Sequence, residues 1–318
     1  MNAAASPFKW TLRFILLYVL FLVFFVMGAM AVAGVIPDAA SSEPGLVPAA
    51  AGLLIIALVN LVVVAALILT SRWGGWKLAV SLALAYYGAV TFLPQIETWY
   101  FLSSLTVGPE LLPRLFLMGM PTAFLFVPLA VWILGKRRAI AETSPNPALV
   151  MPMQQWLWKL TALAMAYLVL YWTAGYFIAW QNPQLRAFYG QPGEALPFFR
   201  QTANALRHDP MLFALQILRA LLWVLCALPL IRGSRVDPWW TALLVGLLFS
   251  APQNVAQILA NPLMPVASVR LSHMIETASS TFLFGTLVVW LLHRTHDSFG
   301  DLMGIHADDK RSQPARPI

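Results

Sequence analysis

The sequence predicts an all-α integral membrane protein of eight transmembrane helices, built as two tandem four-helix repeats in parallel orientation. Three observations carry this. The chain is 60% hydrophobic and 10% charged over 318 residues, unlike an ordinary soluble domain. Its apolar residues gather into runs near the ~20 residues that cross ~30 Å of hydrocarbon as a helix. Two runs are close to identical: FLFVPLAVWILGKR at 124–137 and FLFGTLVVWLLHR at 282–294.

The likeness extends upstream, where Arg114 and Pro94-Gln95 precede the first copy as Arg270 and Pro252-Gln253 precede the second. The spans fall at 12–34, 47–70, 78–97 and 114–135 in a first unit, 1–138. A linker, 139–155, contains Ser144-Pro145-Asn146-Pro147. The second unit, 156–294, has spans at 158–180, 211–231, 239–259 and 271–293, and 295–318 is a solvated tail rich in Asp, Lys, Arg and Pro. Four spans per unit is an even number, so both units enter the bilayer from the same side. That implies a pseudo-two-fold axis along the membrane normal, unlike the in-plane axis of inverted repeats.

Charge placement gives the orientation. The net charge is +7, and Lys9, Arg13, Arg72, Lys77, Lys136, Arg137, Arg138, Lys159, Arg232, Arg235, Arg294, Lys310, Arg311 and Arg316 fall at the termini or beside the 2–3, 4–5 and 6–7 connections. The positive-inside rule makes those segments cytoplasmic, with both termini inside, as in a bacterial inner-membrane protein. The opposite connections carry Asp38, Glu43, Glu97, Glu110, Glu194 and Asp209. The expected partners are membrane lipids, whose anionic headgroups account for the basic residues without nucleic acid. Trp10, Trp73, Trp76, Trp156, Trp158, Trp239 and Trp240 cluster at the inner ends, with Trp99 and Trp180 at outer ends, as interfacial anchors. Cys226 is the only cysteine, so no intramolecular disulfide forms. The first run is long for a cleaved signal peptide and resembles span 5, so it reads as a true span.

The two units differ most after their first span. The connection 35–46 is short, whereas 181–210 holds apolar residues at 198, 199, 203 and 206 separated by polar ones, the pattern of a short interfacial helix. A packed connection is favoured there over a lid. Asp209-Pro210 then supplies a cap and a first-turn proline for span 6.

Polar residues concentrate in the outer half. Counting from Arg232, Arg219 sits roughly 18–20 Å into the bilayer, where an unpaired arginine costs about 2.5–3.5 kcal/mol on insertion scales. Gln216 lies one turn away on the same face. In span 8, Arg270, His273, Glu276 and Ser280 form one stripe at three- and four-residue spacing. Span 3 ends on Pro94-Gln95-Ile96-Glu97, and span 7 carries Pro252-Gln253-Asn254, where adjacent amides can satisfy carbonyls freed by proline. The inner halves read as almost wholly apolar.

The expected ligand-binding set is therefore Arg219, Glu97, His273, Glu276, Gln216 and Gln253, lining a pocket open to the periplasmic side. Arg114 and Arg270 repeat in both units and read as scaffold. Arginine forks suit a carboxylate or phosphate, so the sequence favours a protein that binds or translocates an anionic amphiphile or a small anion. One alternative is a membrane hydrolase or transferase acting on a lipid-borne substrate, with Glu97, His273 and Glu276 as candidate catalytic residues and His273 as general base. Another is a non-catalytic subunit in which Arg219 merely pairs with Glu97 or Glu276. His273 and Glu276 have metal-ligand spacing, with Glu97 as a third group. No second histidine lies at that depth, with only His208 on the outer side, and neither metal nor cofactor is expected. Nucleophile-elbow, zinc-protease, phosphate-loop and dinucleotide-binding motifs are absent.

Overall fold

The computed structural model describes residues 7–37, 42–138, 149–293 and 300. Asp38, residues 143–147 of the linker, Arg294 and the tail with Lys310, Arg311 and Arg316 lie outside the described residues. The helices run α1 (Pro7–Ala29), α2 (Ala49–Leu69), α3 (Gly75–Leu102), α4 (Leu111–Ile133), α5 (Met153–Ala179), short α6 (Pro183–Phe188) and α7 (Phe198–His208), then α8 (Pro210–Gly233), α9 (Pro238–Ile258) and α10 (Ala267–His293). All but α6 and α7 are long and apolar enough to cross a membrane, eight in all among the described residues. That is the make-up of a polytopic membrane protein.

Local chemistry explains where several helices begin. The Asp209 carboxylate accepts from Leu212 N at 3.3 Å and Pro210 opens α8. Asn182 accepts from Gln184 N at 2.9 Å ahead of Pro183. Glu43, from a distant connection, accepts from Ala267 N at 2.7 Å and so caps α10.

α3 does not stop at Glu97 as its sequence suggests; it continues to Leu102. A π-helical turn, Gly88–Phe92, precedes Pro94, and Leu93 N bonds to Gly88 O five residues back. The wider turn takes up the irregularity that proline imposes on a helix, and the chain stays helical beyond it. In α4 the same device, Thr122–Phe126, precedes Pro128. α9 handles Pro252 differently: Gln253 Nε2 donates to Phe249 O at 2.6 Å and Asn254 Nδ2 to Ser250 O at 2.8 Å. A short 3₁₀ turn, Val255–Ile258, follows.

Packing follows one scheme in each half. α1 packs on α2 and α4, and α4 on α2 and α3; α5 packs on α8 and α10, and α10 on α8 and α9. The halves meet where α2 packs on α9, α3 on α8, and α3 on α9.

At one end, the basic end, the connections after α2, α4 and α8 come together. Arg72 N donates to Gly233 O at 2.8 Å while Arg235 N donates to Thr70 O at 3.0 Å. Arg72 Nε reaches Ser234 O at 3.0 Å while Arg235 Nη2 reaches Leu69 O at 2.8 Å. Gly75 N joins them to Lys136 O at 2.7 Å. The other connections meet at the opposite end, where Leu46 N donates to Ile258 O at 2.7 Å and Thr106 Oγ1 to Leu263 O at 2.9 Å.

The apolar core lies between that end and the basic end, but it is not wholly apolar. Asn60 is buried in α2, donating to Ile56 O at 2.8 Å and accepting from Tyr86 OH at 2.5 Å. Hydropathy averaged over a span conceals a single satisfied amide of this kind.

Candidate functional site

The polar site lies in the half of the bundle facing the opposite end, among α3, α5, α8, α9 and α10. Arg219 of α8 is 3% exposed. Its Nη2 bonds Glu97 Oε2 of α3 at 2.7 Å, and its Nη1 bonds Gln216 Oε1 at 2.8 Å. The π turn and Pro94 carry helical structure through Glu97, which is how that carboxylate reaches α8. Two donors stay without a protein partner: Arg219 Nε and Gln216 Nε2, both buried.

A second chain of contacts runs along α10. His273 Nδ1 lies 3.0 Å from Glu276 Oε2, and His273 Nε2 lies 3.0 Å from the Tyr189 hydroxyl. Burial pushes the Tyr189 phenol above its ordinary pKa, with Glu97 and Glu276 adding to the effect. A protonated phenol donates to Nε2 and puts the imidazole proton on Nδ1, where Glu276 accepts it.

These groups border a chamber of about 110 Å³ whose walls include Glu97, Arg219, Gln253, His273 and Glu276. A larger cavity of about 610 Å³ lies beside it, between α5, α6, α7 and α8. Phe101, Tyr171, Tyr189, His273 and Glu276 border both spaces. One side of α7, with Gln201, Asn204, Ala205 and His208, faces the larger cavity. No α7 residue is fully buried, yet the Phe198 ring packs on Tyr176 and Phe177 at 5.1 and 5.3 Å, so the segment is a short helix that borders the cavity while packed on α5. The Trp172 indole N–H holds it by a 2.6 Å bond to Thr202 Oγ1. Below the chamber, Tyr167, Trp223, Phe249 and Phe284 are buried and close the floor, with the Trp223 and Phe249 rings 4.4 Å apart.

The structure thus brings Glu97, Arg219, Gln253, His273 and Glu276 to one space. Gln216 stands behind Arg219, fully buried. Arg270 and Arg114, read from the sequence as scaffold, do not converge on it. Arg270 donates to the carbonyls of Met264, Pro265, Glu43 and Pro44 at 2.9–3.0 Å, and Arg114 is exposed. Arg114 and Arg270 therefore have different tasks.

The aromatic walls were missed by reasoning from charged residues, although a signal existed. Tyr167 and Tyr171 stack at 6.3 Å, and Tyr167 meets Phe284 edge-on at 4.7 Å. Phe21 and Phe25 stack at 5.9 Å, and Phe21 meets Phe126 edge-on at 5.2 Å. The geometry recurs, but hydroxyls are present only in the later pair. A Cβ on Gly28 would meet Met118 O at 2.1 Å, so α1 closes directly on α4 there. At Gly175 of α5 the nearest group is Glu276 Oε1 at 3.7 Å, which leaves room for the carboxylate.

Among the described residues no group of three or more His, Cys, Asp or Glu side chains is placed to hold a metal ion. Comparison with protein-family models, curated proteins and solved structures gives no match.

Proposed function

We propose that the chain is a two-repeat inner-membrane protein that binds a membrane amphiphile from the periplasmic side. The polar head occupies the chamber beside Arg219 and Glu276, and the chain lies in the larger cavity against α5 and α7. The observation that carries this reading is that a small chamber bearing the charged groups lies against a cavity several times its volume, with Phe101, Tyr171, Tyr189, His273 and Glu276 bordering both. The closed floor favours binding over translocation.

The repeat units, 1–138 and 156–294, and their parallel arrangement are supported by the packing scheme. Exchanging α1–α4 for α5 and α8–α10 maps α1–α2, α1–α4, α2–α4 and α3–α4 onto α5–α8, α5–α10, α8–α10 and α9–α10, and α2–α9 onto α3–α8, although α8–α9 packing has no strong α2–α3 counterpart. The Arg72 and Arg235 bonds are reciprocal in the same sense, as isologous two-fold contacts are. Basic residues at the end where Arg72, Lys136 and Arg235 meet support a cytoplasmic basic end.

A second reading, membrane hydrolase or transferase, is favoured by one feature. Glu276 orients His273, whose Nε2 faces a hydroxyl, as in a general base with its positioning carboxylate.

One experiment addresses both. Native mass spectrometry of the protein extracted from membranes is expected to show a retained lipid on wild type and none on Gly175→Phe. The new ring enters the larger cavity from a helical position with ordinary backbone angles. Absence of lipid on wild type, or equal retention on the variant, contradicts the binding reading. Chemical alteration of added lipid by wild type alone supports the enzyme.

A further inference from the structure

The charges around the two adjacent spaces are unequal in sign. Glu97, Glu276 and Asp209 border them as carboxylates, against Arg219 as the one guanidinium, with His208 and His273 as the titratable imidazoles. Glu97 answers Arg219 at 2.7 Å. Asp209 is engaged by Tyr100 and by the start of α8. Glu276 meets only His273 through Oε2, and Oε1 faces the space at Gly175 with no hydrogen-bond donor among the described residues. With both histidines neutral the walls carry more negative than positive charge. Protonating His273 does no more than neutralise its own carboxylate. An anion, the ligand Arg219 alone suggests, would therefore enter a space whose positive charge is already spoken for.

The rings supply a second, independent argument. Phe101, Tyr171 and Tyr189 border both spaces beside Glu276, and Tyr167 borders the chamber. Aromatic faces around a carboxylate attract an ammonium group, by about 0.5–1 kcal/mol per exposed ring contact and ~2 when desolvated. The hydrogens and methyl or methylene groups on a lipid ammonium carry part of its positive charge, which ring faces attract, whereas carboxylate and sulfate heads are negative and are not drawn to those faces.

We infer that the headgroup bound beside Glu276 is an alkylammonium, held by that carboxylate and by the faces of Phe101, Tyr171 and Tyr189. This rests on the amphiphile reading above and names its ligand class. The ammonium can belong to a zwitterionic phospholipid or to a simple long-chain amine.

The test has two arms. In the first, the protein sits in nanodiscs containing equal phosphatidylethanolamine, phosphatidylcholine and phosphatidylglycerol, and retained lipid is read by native mass spectrometry. In the second, dodecyltrimethylammonium and dodecanoate are titrated against detergent-solubilised protein. Ammonium ligands are expected to be favoured over the anionic ones by about tenfold, the size of one well-placed interaction. Preference for the zwitterionic lipids without binding of the simple amine identifies the phospholipid as the source; binding of the simple amine identifies the ammonium alone as sufficient. Glu276→Gln is expected to abolish the preference and Glu276→Asp to restore part of it. Tyr171→Leu, which leaves both ion pairs in place, is expected to weaken ammonium binding several-fold and leave dodecanoate unchanged. Equal or better binding of the anionic ligands by wild type overturns the inference while leaving the amphiphile reading intact. Retention of no lipid of any class overturns both.

Discussion

Glu97→Ala is expected to destabilise the protein by about 3–5 kcal/mol, the usual cost of removing one partner from a buried ion pair. The Arg219 side chain is 4% exposed, and among the described residues its Nε lacks a partner and Glu97 supplies its only carboxylate contact, at 2.7 Å. Without that carboxylate the guanidinium keeps Gln216 Oε1 and whatever water the chamber admits. The double variant Glu97→Ala/Arg219→Met removes the charge together with its partner and is expected to recover most of the loss, since apolar replacement of a whole buried pair is often neutral. Thermal or steric-trap unfolding of the wild type, both single variants and the double variant measures the coupling. Additive losses would show that the pair does not hold α3 to α8.

Arg270→Ala is expected to cost about 3 kcal/mol or more. Arg270 is 1% exposed and its two terminal nitrogens satisfy four carbonyls, two from the α1–α2 connection and two from the segment before α10. The change removes four charge-assisted bonds at once, each worth about 1.5–3 kcal/mol, although Pro265 O keeps its bond from Glu43 N at 2.8 Å. The loss should be local, because Glu43 also caps α10 through Ala267. Hydrogen exchange is therefore expected to rise at residues 43–46 and 264–270 and to stay low around Arg72 and Arg235. Lysine, a single point charge without the planar fork, should restore only part of the protection. Unchanged exchange in both segments would mean that this arginine is not the clamp its geometry describes.

Hydropathy located the spans because each apolar run must satisfy its own backbone within the bilayer. It failed at the far end of α3, where a proline read as a terminus is accommodated by the π turn before it. The charged half of the site was legible because depth along a helix follows from counting residues: Arg219, His273 and Glu276 had to share a level, and Glu97 had to lie near it. Which of them pair is a matter of helix rotation, which counting alone does not give. Arg114 and Arg270, read as scaffold, stand outside the site: Arg270 is buried among carbonyls and Arg114 is exposed. Tyr167 and Tyr171 were readable only by setting them against Phe21 and Phe25. Tyr189, in the turn after α6, carries no such signal; its position depends on how the 181–210 connection folds back over α10, where Asn182 donates to Ser268 and Ser272 at 3.1 and 3.0 Å.

The most direct test is a density map of the wild-type protein in lipid nanodiscs. The account predicts elongated density that begins in the chamber beside Glu276 and continues past Tyr171 and Gly175 into the cavity under α7. A chamber holding nothing but water beside an intact Arg219–Glu97 pair would contradict it, and would leave the polar cluster as a device that only holds α3 and α8 together.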